Sequence, residues 1–308
     1  MWRVAVVAVA LLAVWGGLAV RLGVLHLGPN EALKERVRRT RTVEETILVG
    51  RGRILDRQDK LLALDLPVQN VCVDPVVVLS NGQAKAVSEQ LARVLKLPKS
   101  QVFERVNRPG RRYEPVLRLA REEVAEKVER LQLPGVFFES LTTRYYPHNE
   151  MGCHVLGFSN KEGVGSAGIE QRWDSLLKGR PGLLQSERDG QRREIYTRRS
   201  LEVAPQEGAD IYLTIDQNVQ YFVEKALDAA MTNLNAQAAW AIVEDVRTGA
   251  ILAMASRPAY DLNAYNETKA ETRLNRAVGE NFEPGSVFKV GVVAAALNEG
   301  IIGTNDVF

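Results

Sequence analysis

The sequence predicts an α+β chain behind one membrane-spanning helix, and three observations carry that expectation. Residues Val4 to Val20, VAVVAVALLAVWGGLAV, run without a charge. From about residue 47 onward, stretches of strand and of helix periodicity alternate along the chain. A hairpin signal around Gly249 is followed, after a polar loop, by a long apolar helical run beginning at Ser286.

The N-terminal run continues with apolar character past Arg21 to Leu27. A bilayer core needs about 20 apolar residues in helix, and Arg21 can snorkel to the interface. A signal-peptide core is shorter and ends in a small-residue cleavage site, which this stretch lacks, so an uncleaved anchor over residues 4–27 is expected. Charge counting leaves its orientation open, because Arg3 stands on one side and Lys34, Arg36, Arg38, Arg39 and Arg41 on the other.

Residues 30–46 read as a charged connector, helical in part. ILVGRGRILDRQDKLLAL (47–64) reads as extended stretches broken by Gly50, Gly52 and the polar tract Asp56 to Lys60. AKAVSEQLARVL (84–95) and REEVAEKVERL (121–131) have helical periodicity, and RYEPVLRLA (112–120) reads as an edge strand, since Pro115 cannot donate to a ladder. GVFFESLTTRYY (135–146) is strand-like, and residues 147–208 read as ordered loops with a short helix around Trp173. A domain boundary is expected near residue 205, followed by a strand. Asp216 then caps a helix whose apolar face is Val219, Phe222, Val223, Ala226, Leu227 and Ala230. AAWAIVEDV and AILAMAS flank the turn RTG as two strands covered on both faces.

The totals exclude several function classes. Forty basic against 38 acidic residues leave a net charge of +2, without the basic excess of a general nucleic-acid binder. Cys72 and Cys153 have no metal-like spacing and read as two buried thiols, with one disulfide as the alternative in an oxidising compartment. His148 and His154 have no acidic or cysteine partner at ligand spacing, so no metal site is expected.

The chemistry-bearing stretch is NFEPGSVFKVGVVAAALNEG (281–300). It puts Ser286 three residues before Lys289, one helical turn apart, after a Pro-Gly turn. A serine hydroxyl needs a neighbouring base, and lysine serves as one when burial disfavours its charge. Val287, Phe288, Val290, Val292 and Val293 are the expected desolvating neighbours. A helix N-terminus would also offer N–H groups to an oxyanion. Spacing alone is weak evidence, because Ser175 and Lys178 repeat it in a charged segment that reads as a solvated turn.

The surrounding residues sharpen the reading. EPGSVFK after TGAILAMASRPAYDLNAY resembles the active-site opening of penicillin-binding proteins, the serine D,D-transpeptidases of peptidoglycan, whose first motif is Ser-x-x-Lys. RGRILDRQDKLLAL, RYYPHNEMGCHVLGF, GVGSAGIEQRWDSLLKGRPG, DGQRREI and LTIDQNVQ resemble the signatures of class B enzymes, with a lean towards the septal, FtsI-like type. One departure is DRQDK, where the family more often has a glycine turn.

The resemblance implies a cytoplasmic tail (1–3), an anchor (4–27), an elongated α+β pedestal or dimerisation domain (28–205) and the first part of a transpeptidase domain (206–308), an antiparallel sheet with helices. It implies Ser286 as acyl-enzyme nucleophile, Lys289 as its base, no cofactor, and an anchor with its N-terminus inside. The implied partners are stem peptides ending in D-Ala-D-Ala, β-lactams, the membrane, and a glycan polymerase with other wall-synthesis or division proteins.

It also implies Ser-x-Asn and Lys-Thr-Gly or Lys-Ser-Gly downstream of Ser286. Only VGVVAAALNEGIIGTNDVF follows Lys289, so the chain reads as the N-terminal part of an enzyme, inactive in transpeptidation by itself. The alternatives are a non-catalytic anchored scaffold for wall-synthesis partners, and a membrane-bound β-lactam sensor or hydrolase.

Overall fold

A computed structural model describes residues 2–27, 42–47, 49–188 and 194–307. The bulk of the connector expected at 30–46, and most of DGQRREI, lie outside the described residues.

In chain order, helix α1 (Trp2–Leu27) is followed by strand β1 (Thr42–Ile47), the two-residue β2 (Ile54–Leu55) and the 13-residue β3 (Leu61–Val73). Asp74 accepts a hydrogen bond from the Val77 N–H at 3.2 Å and, with Pro75 at the first position, starts α2 (Pro75–Ser80). Helix α3 (Ala84–Leu95) buries Val87, Leu91 and Leu95 at four-residue spacing and stops where Lys96 turns left-handed. Helix α4 (Lys99–Val106) buries Val102 and Val106. Then come β4 (Glu114–Arg121), α5 (Glu122–Glu129) and β5 (Val136–Tyr145).

Short helices α6 (Cys153–Leu156), α7 (Gly168–Arg172) and α8 (Asp174–Leu177) flank the signature glycines. The rest comprises β6 (Gly182–Arg188), β7 (Glu194–Val203), β8 (Ile211–Tyr212), α9 (Gln217–Leu234), β9 (Ala239–Asp245), β10 (Ala250–Arg257), α10 (Arg276–Gly279) and α11 (Phe288–Asn298).

The chain divides into two compact units. One takes residues 1–49 and 180–206. It holds α1, whose window Ala5–Val24 is long and apolar enough to cross a membrane, and an antiparallel sheet in the order β1-β6-β7. That sheet corrects two expectations. Residues 42–47 are strand rather than connector, and 182–203 holds two strands rather than loops. GLLQSER and EIYTRRSLEV carry polar residues throughout, so no apolar run marks them; they are strands because their backbones pair, Thr42 opposite Glu187 and Leu183 opposite Val203.

The other unit takes residues 50–179 and 207–308. Its spine is β3, which pairs with β5 from Leu64 opposite Tyr145 to Val73 opposite Val136. On its other edge β3 pairs with β2 at Leu61 and Ala63, then with β4 from Val68 onward. Pro67 falls in the gap between them, where only β5 is paired with the spine. As Pro115 requires, β4 stands at the end of the sheet order.

Two apolar clusters hang on this spine. At its C-terminal end Val71 and Val73 meet Val78, Leu91, Val102, Val106, Val116 and Val128 of the surrounding helices and strand. At its N-terminal end Leu62 and Ala63 meet Ile54, Tyr146, Leu156, Leu177, Tyr260 and Leu262. Both cysteines are buried free thiols, and burial pushes Cys153 up to about 12.

Candidate active-site segment and its supports

The segment bearing Ser286 is reached through a hairpin. Asp245 accepts the Gly249 N–H on its carbonyl at 2.8 Å and the Arg247 N–H on Oδ1 at 3.0 Å, and Gly249 takes φ +73°. β9 and β10 then run antiparallel, Ala250 opposite Asp245 and Arg257 opposite Ala239, with a bulge between Ile251 and Ala253. The expectation of two doubly covered strands is corrected: β10 buries Ala253, Ala255, Ser256 and Arg257, whereas β9 leaves Ile242 44% exposed. Helix α9 packs mainly on β10, and nothing among the described residues fully covers β9.

Helix α9 starts at Asp216 as expected, with Oδ1 accepting the Asn218 N–H at 2.9 Å. Its buried face differs from the sequence expectation. Gln220, Glu224 and Leu227 are buried, while Phe222 is 69% exposed and Ala226 is exposed. The reason is polar. Gln220 Nε2 donates to the Met254 carbonyl and Met254 N–H donates to Gln220 Oε1, both at 2.9 Å, so the amide acts as an extra strand residue beside β10. Glu224 Oε1 accepts from Gln220 Nε2 at 2.7 Å and from the Gly152 N–H at 2.8 Å. Arg257, itself buried, reaches Glu224 at 3.5 Å and Asp228 at 2.5 and 3.1 Å. A hydrophobic-face count cannot find such a contact, because it scores Gln and Glu as solvent-facing.

A second polar knot explains the spaced signature motifs. Arg51 Nε donates to Glu170 Oε2 at 2.6 Å, and Arg51 Nη1 donates to Asp174 Oδ1 at 2.6 Å. Arg144 Nε donates to Glu170 Oε1 at 2.6 Å, and its Nη1 reaches Asp65 Oδ1 at 3.1 Å. Glu170 is fully buried. RGR, RYY and GIEQRWD therefore supply one buried charge cluster, a structural role that spacing alone did not disclose. Gly52 is forced there: a Cβ would stand 2.0 Å from the Ala209 carbonyl oxygen.

The departing turn DRQDK is held by Asp56, whose Oδ1 accepts the Gln58 and Lys60 N–H groups at 2.7 and 2.9 Å. Asp56 Oδ2 accepts the Gln217 N–H at 3.1 Å. Asp59 takes φ +63°, the left-handed conformation that favours glycine.

SRPAYDLNAY is pinned to the end of β5. Asn263 Nδ2 donates to the Tyr146 carbonyl at 2.9 Å, Tyr146 N–H donates to Asn263 Oδ1 at 3.0 Å, and Tyr260 Oη donates to the Cys153 carbonyl at 3.0 Å. The chain then turns at Pro284 and at Gly285, which takes φ +55°. Ser286 lies in a 3₁₀ turn, Gly285–Val287, that runs directly into α11, and Lys289 is the second residue of that helix. Both are exposed. The expected apolar shield is corrected: Val287 is 73%, Phe288 66% and Val290 72% exposed, so these side chains do not desolvate Lys289. Helix α11 is apolar on every side and buries no residue among those described, a composition that belongs to a helix covered all round. Ser175 and Lys178, the second copy of the spacing, are both exposed, Ser175 on the four-residue helix α8 beside Asp174 and Lys178 just past its end in extended conformation.

Comparison with known proteins gives this geometry its context. Residues 46–213 match the penicillin-binding protein dimerisation domain, and residues 239–308 match the penicillin-binding protein transpeptidase domain. The chain is 32% identical over 310 residues to peptidoglycan D,D-transpeptidase FtsI of Escherichia coli K12, covering 99% of this chain and 52% of that protein. It is 33% identical over 309 residues to the probable peptidoglycan D,D-transpeptidase PenA of Neisseria meningitidis strain Z2491, with the same coverages, 99% and 52%. It thus spans about half the length of the curated relatives it matches. Among solved structures, penicillin-binding protein 2X of Streptococcus thermophilus superposes with a TM-score of 0.65 at 25% identity, over 86% of this chain and 43% of that one. The signature motifs, the fold that ties them together and the matched dimerisation domain agree, and the chain belongs to the class B penicillin-binding proteins of FtsI-like type.

Proposed function

We propose that this chain forms the anchor, the pedestal and the nucleophile-bearing part of a peptidoglycan D,D-transpeptidase, with Ser286 as nucleophile and Lys289 as its base. The observation that carries the reading is Ser286 in the tight turn after Pro284-Gly285, one turn ahead of Lys289, inside the segment that matches the transpeptidase domain. Ser286 Oγ attacks the carbonyl of the penultimate D-Ala of a stem peptide and its proton passes to Lys289 Nζ, which acts as a base once the apolar helix α11 is covered and the ammonium form is disfavoured. The terminal D-Ala leaves, and an amine of a second stem releases the acyl group. β-Lactams acylate Ser286 in place of the stem peptide.

The proposed division is a tail at 1–3, an anchor at 4–27, a pedestal at 28–205 and the start of the catalytic domain at 206–308. The anchor is read with its N-terminus in the cytoplasm and the bulk of the chain outside the membrane, in septal wall synthesis. Within residues 290–308 there is neither Ser-x-Asn nor Lys-Thr-Gly or Lys-Ser-Gly. These 308 residues by themselves are therefore read as inactive in transpeptidation.

The test is labelling with a fluorescent penicillin. Membranes carrying the gene's full reading frame should show a labelled band that Ser286→Ala removes, with acylation slowed about a thousandfold or more. The 308-residue polypeptide should stay unlabelled. An unlabelled full-length protein, or label that survives Ser286→Ala, sinks the assignment.

A second reading is favoured by the match to the dimerisation domain over residues 46–213, more than half the chain. In it the pedestal is an anchored scaffold that binds a glycan polymerase and other wall-synthesis proteins. Retained pull-down of such proteins by the Ser286→Ala chain separates this role from acylation.

A further inference from the structure

We propose that the groove between α4 and the edge strand β4 binds an extended, acidic segment of a protein partner. The groove has a volume of about 650 Å³, and Arg105, Arg108, Arg111, Arg118, Tyr113 and Glu114 are among the residues that line it. Four arginines line it in a chain whose net charge is only +2, so the basic character is local.

The acids nearby are already engaged. Glu114 is buried and accepts from Arg108 at 2.9 Å, with Arg111 at 3.7 Å. Glu139 accepts from Asn70 Nδ2 and from Tyr113 Oη, at 2.9 and 2.8 Å. Arg105 donates to the carbonyl of Pro115. Against two such carboxylates stand four arginines, with the Arg111 side chain 65% exposed and Arg118 exposed in the strand. Arginine binds carboxylates with a rigid, two-pronged donor, and arginine and tyrosine are enriched at protein interfaces.

Three features favour an extended peptide over a small anion. Arg105 stands on α4, Arg108 and Arg111 on the loop that follows it and Arg118 on β4, so the arginines are strung along the groove from one element to the next. Leu97, Tyr113, Pro115 and Leu117 line the groove as well, with Tyr113 48% exposed, so apolar surface accompanies the charge. β4 has one neighbouring strand, β3, among the described residues, and its regular edge runs only to Leu119, where φ is +54°. At Pro115 the edge has no N–H to give and its carbonyl is taken by Arg105, so recognition of an incoming segment rests on the arginines and the apolar lining, with main-chain bonds confined to the short stretch beyond Pro115.

The proposal is independent of Ser286, so its failure leaves the acylation test untouched. The experiment is fluorescence anisotropy with the 308-residue chain in detergent micelles and a fluorescein-labelled peptide of alternating glutamate and phenylalanine. Saturable binding is expected, weakened about tenfold between roughly 50 and 300 mM NaCl. Arg111→Glu with Arg118→Glu should weaken it about tenfold or more, and the milder pair Arg111→Gln with Arg118→Gln should weaken it less, both at an unchanged melting temperature. A lysine-phenylalanine peptide should not bind. Absence of saturable binding by the acidic peptide, or equal affinity in the folded variants, overturns the proposal. So does displacement of the peptide by an equal concentration of inorganic pyrophosphate, which would make the groove a small-anion site.

Discussion

Arg51 and Glu170, 119 positions apart in the chain, meet through a 2.6 Å bond from Nε to Oε2. The same carboxylate accepts Arg144 Nε on its other oxygen, also at 2.6 Å, and all three side chains are nearly sealed from water. Removing the carboxylate leaves two buried guanidinium groups without their principal partner. Glu170→Ala should cost about 3–5 kcal/mol, because a broken buried pair forfeits the desolvation already incurred. A thermal melt or urea titration of the chain in detergent checks this; a loss under about 1 kcal/mol would mean the cluster is better hydrated than its burial implies.

Gln220 and Glu224 bind α9 to β10 and to the Gly152 loop. Glu224→Ala orphans the Gly152 N–H and removes one of the two carboxylates beside Arg257, and should cost about 2–4 kcal/mol. Phe222→Ala, on the same helix but 69% exposed, should change stability by less than about 0.5 kcal/mol. Reversal of that order in a denaturant series would restore the apolar-face assignment of this helix.

Asp59 holds φ +63° in the turn that Asp56 organises. Glycine adopts this conformation without the steric cost of a Cβ, so Asp59→Gly should be neutral to stabilising, by up to about 1 kcal/mol. Asp59→Val should destabilise by about 1–2 kcal/mol. Differential scanning calorimetry of the two variants decides the sign.

Acid stability should depend on two aspartates. The hydrogen bond from the Arg53 guanidinium holds Asp210 below the usual carboxylate range, and the Arg257 guanidinium does the same for Asp228. Both folded values lie below the unfolded one, about 3.9, so their contribution is complete above that pH and disappears as pH falls through the depressed values. In unfolding midpoints followed against pH, the contribution of these two aspartates should therefore be constant above about pH 5 and be lost below about pH 4, beneath an earlier decline from His154, whose burial disfavours its charged form. Asp210→Asn with Asp228→Asn should flatten the acid limb of that curve, and an unchanged slope would show that other groups govern it.

Elements whose signal is local were legible in the sequence. The helix at Ala84–Leu95, the edge strand around Pro115, the cap at Asp216 and the turn at Gly249 each depend on spacing, ring closure, a capping oxygen or backbone freedom within a few residues. The helical start that carries residues 286–289 was legible for the same reason. Tertiary structure alone decided the rest. The polar strands at 182–203 form because their backbones pair, the buried face of α9 is turned by Gln220 reaching Met254, and Glu170 gathers arginines from two distant motifs. These are contacts between groups far apart in the chain. Hydrogen-bond partners and the desolvation of charge depend on what stands opposite a residue, and periodicity carries no record of that.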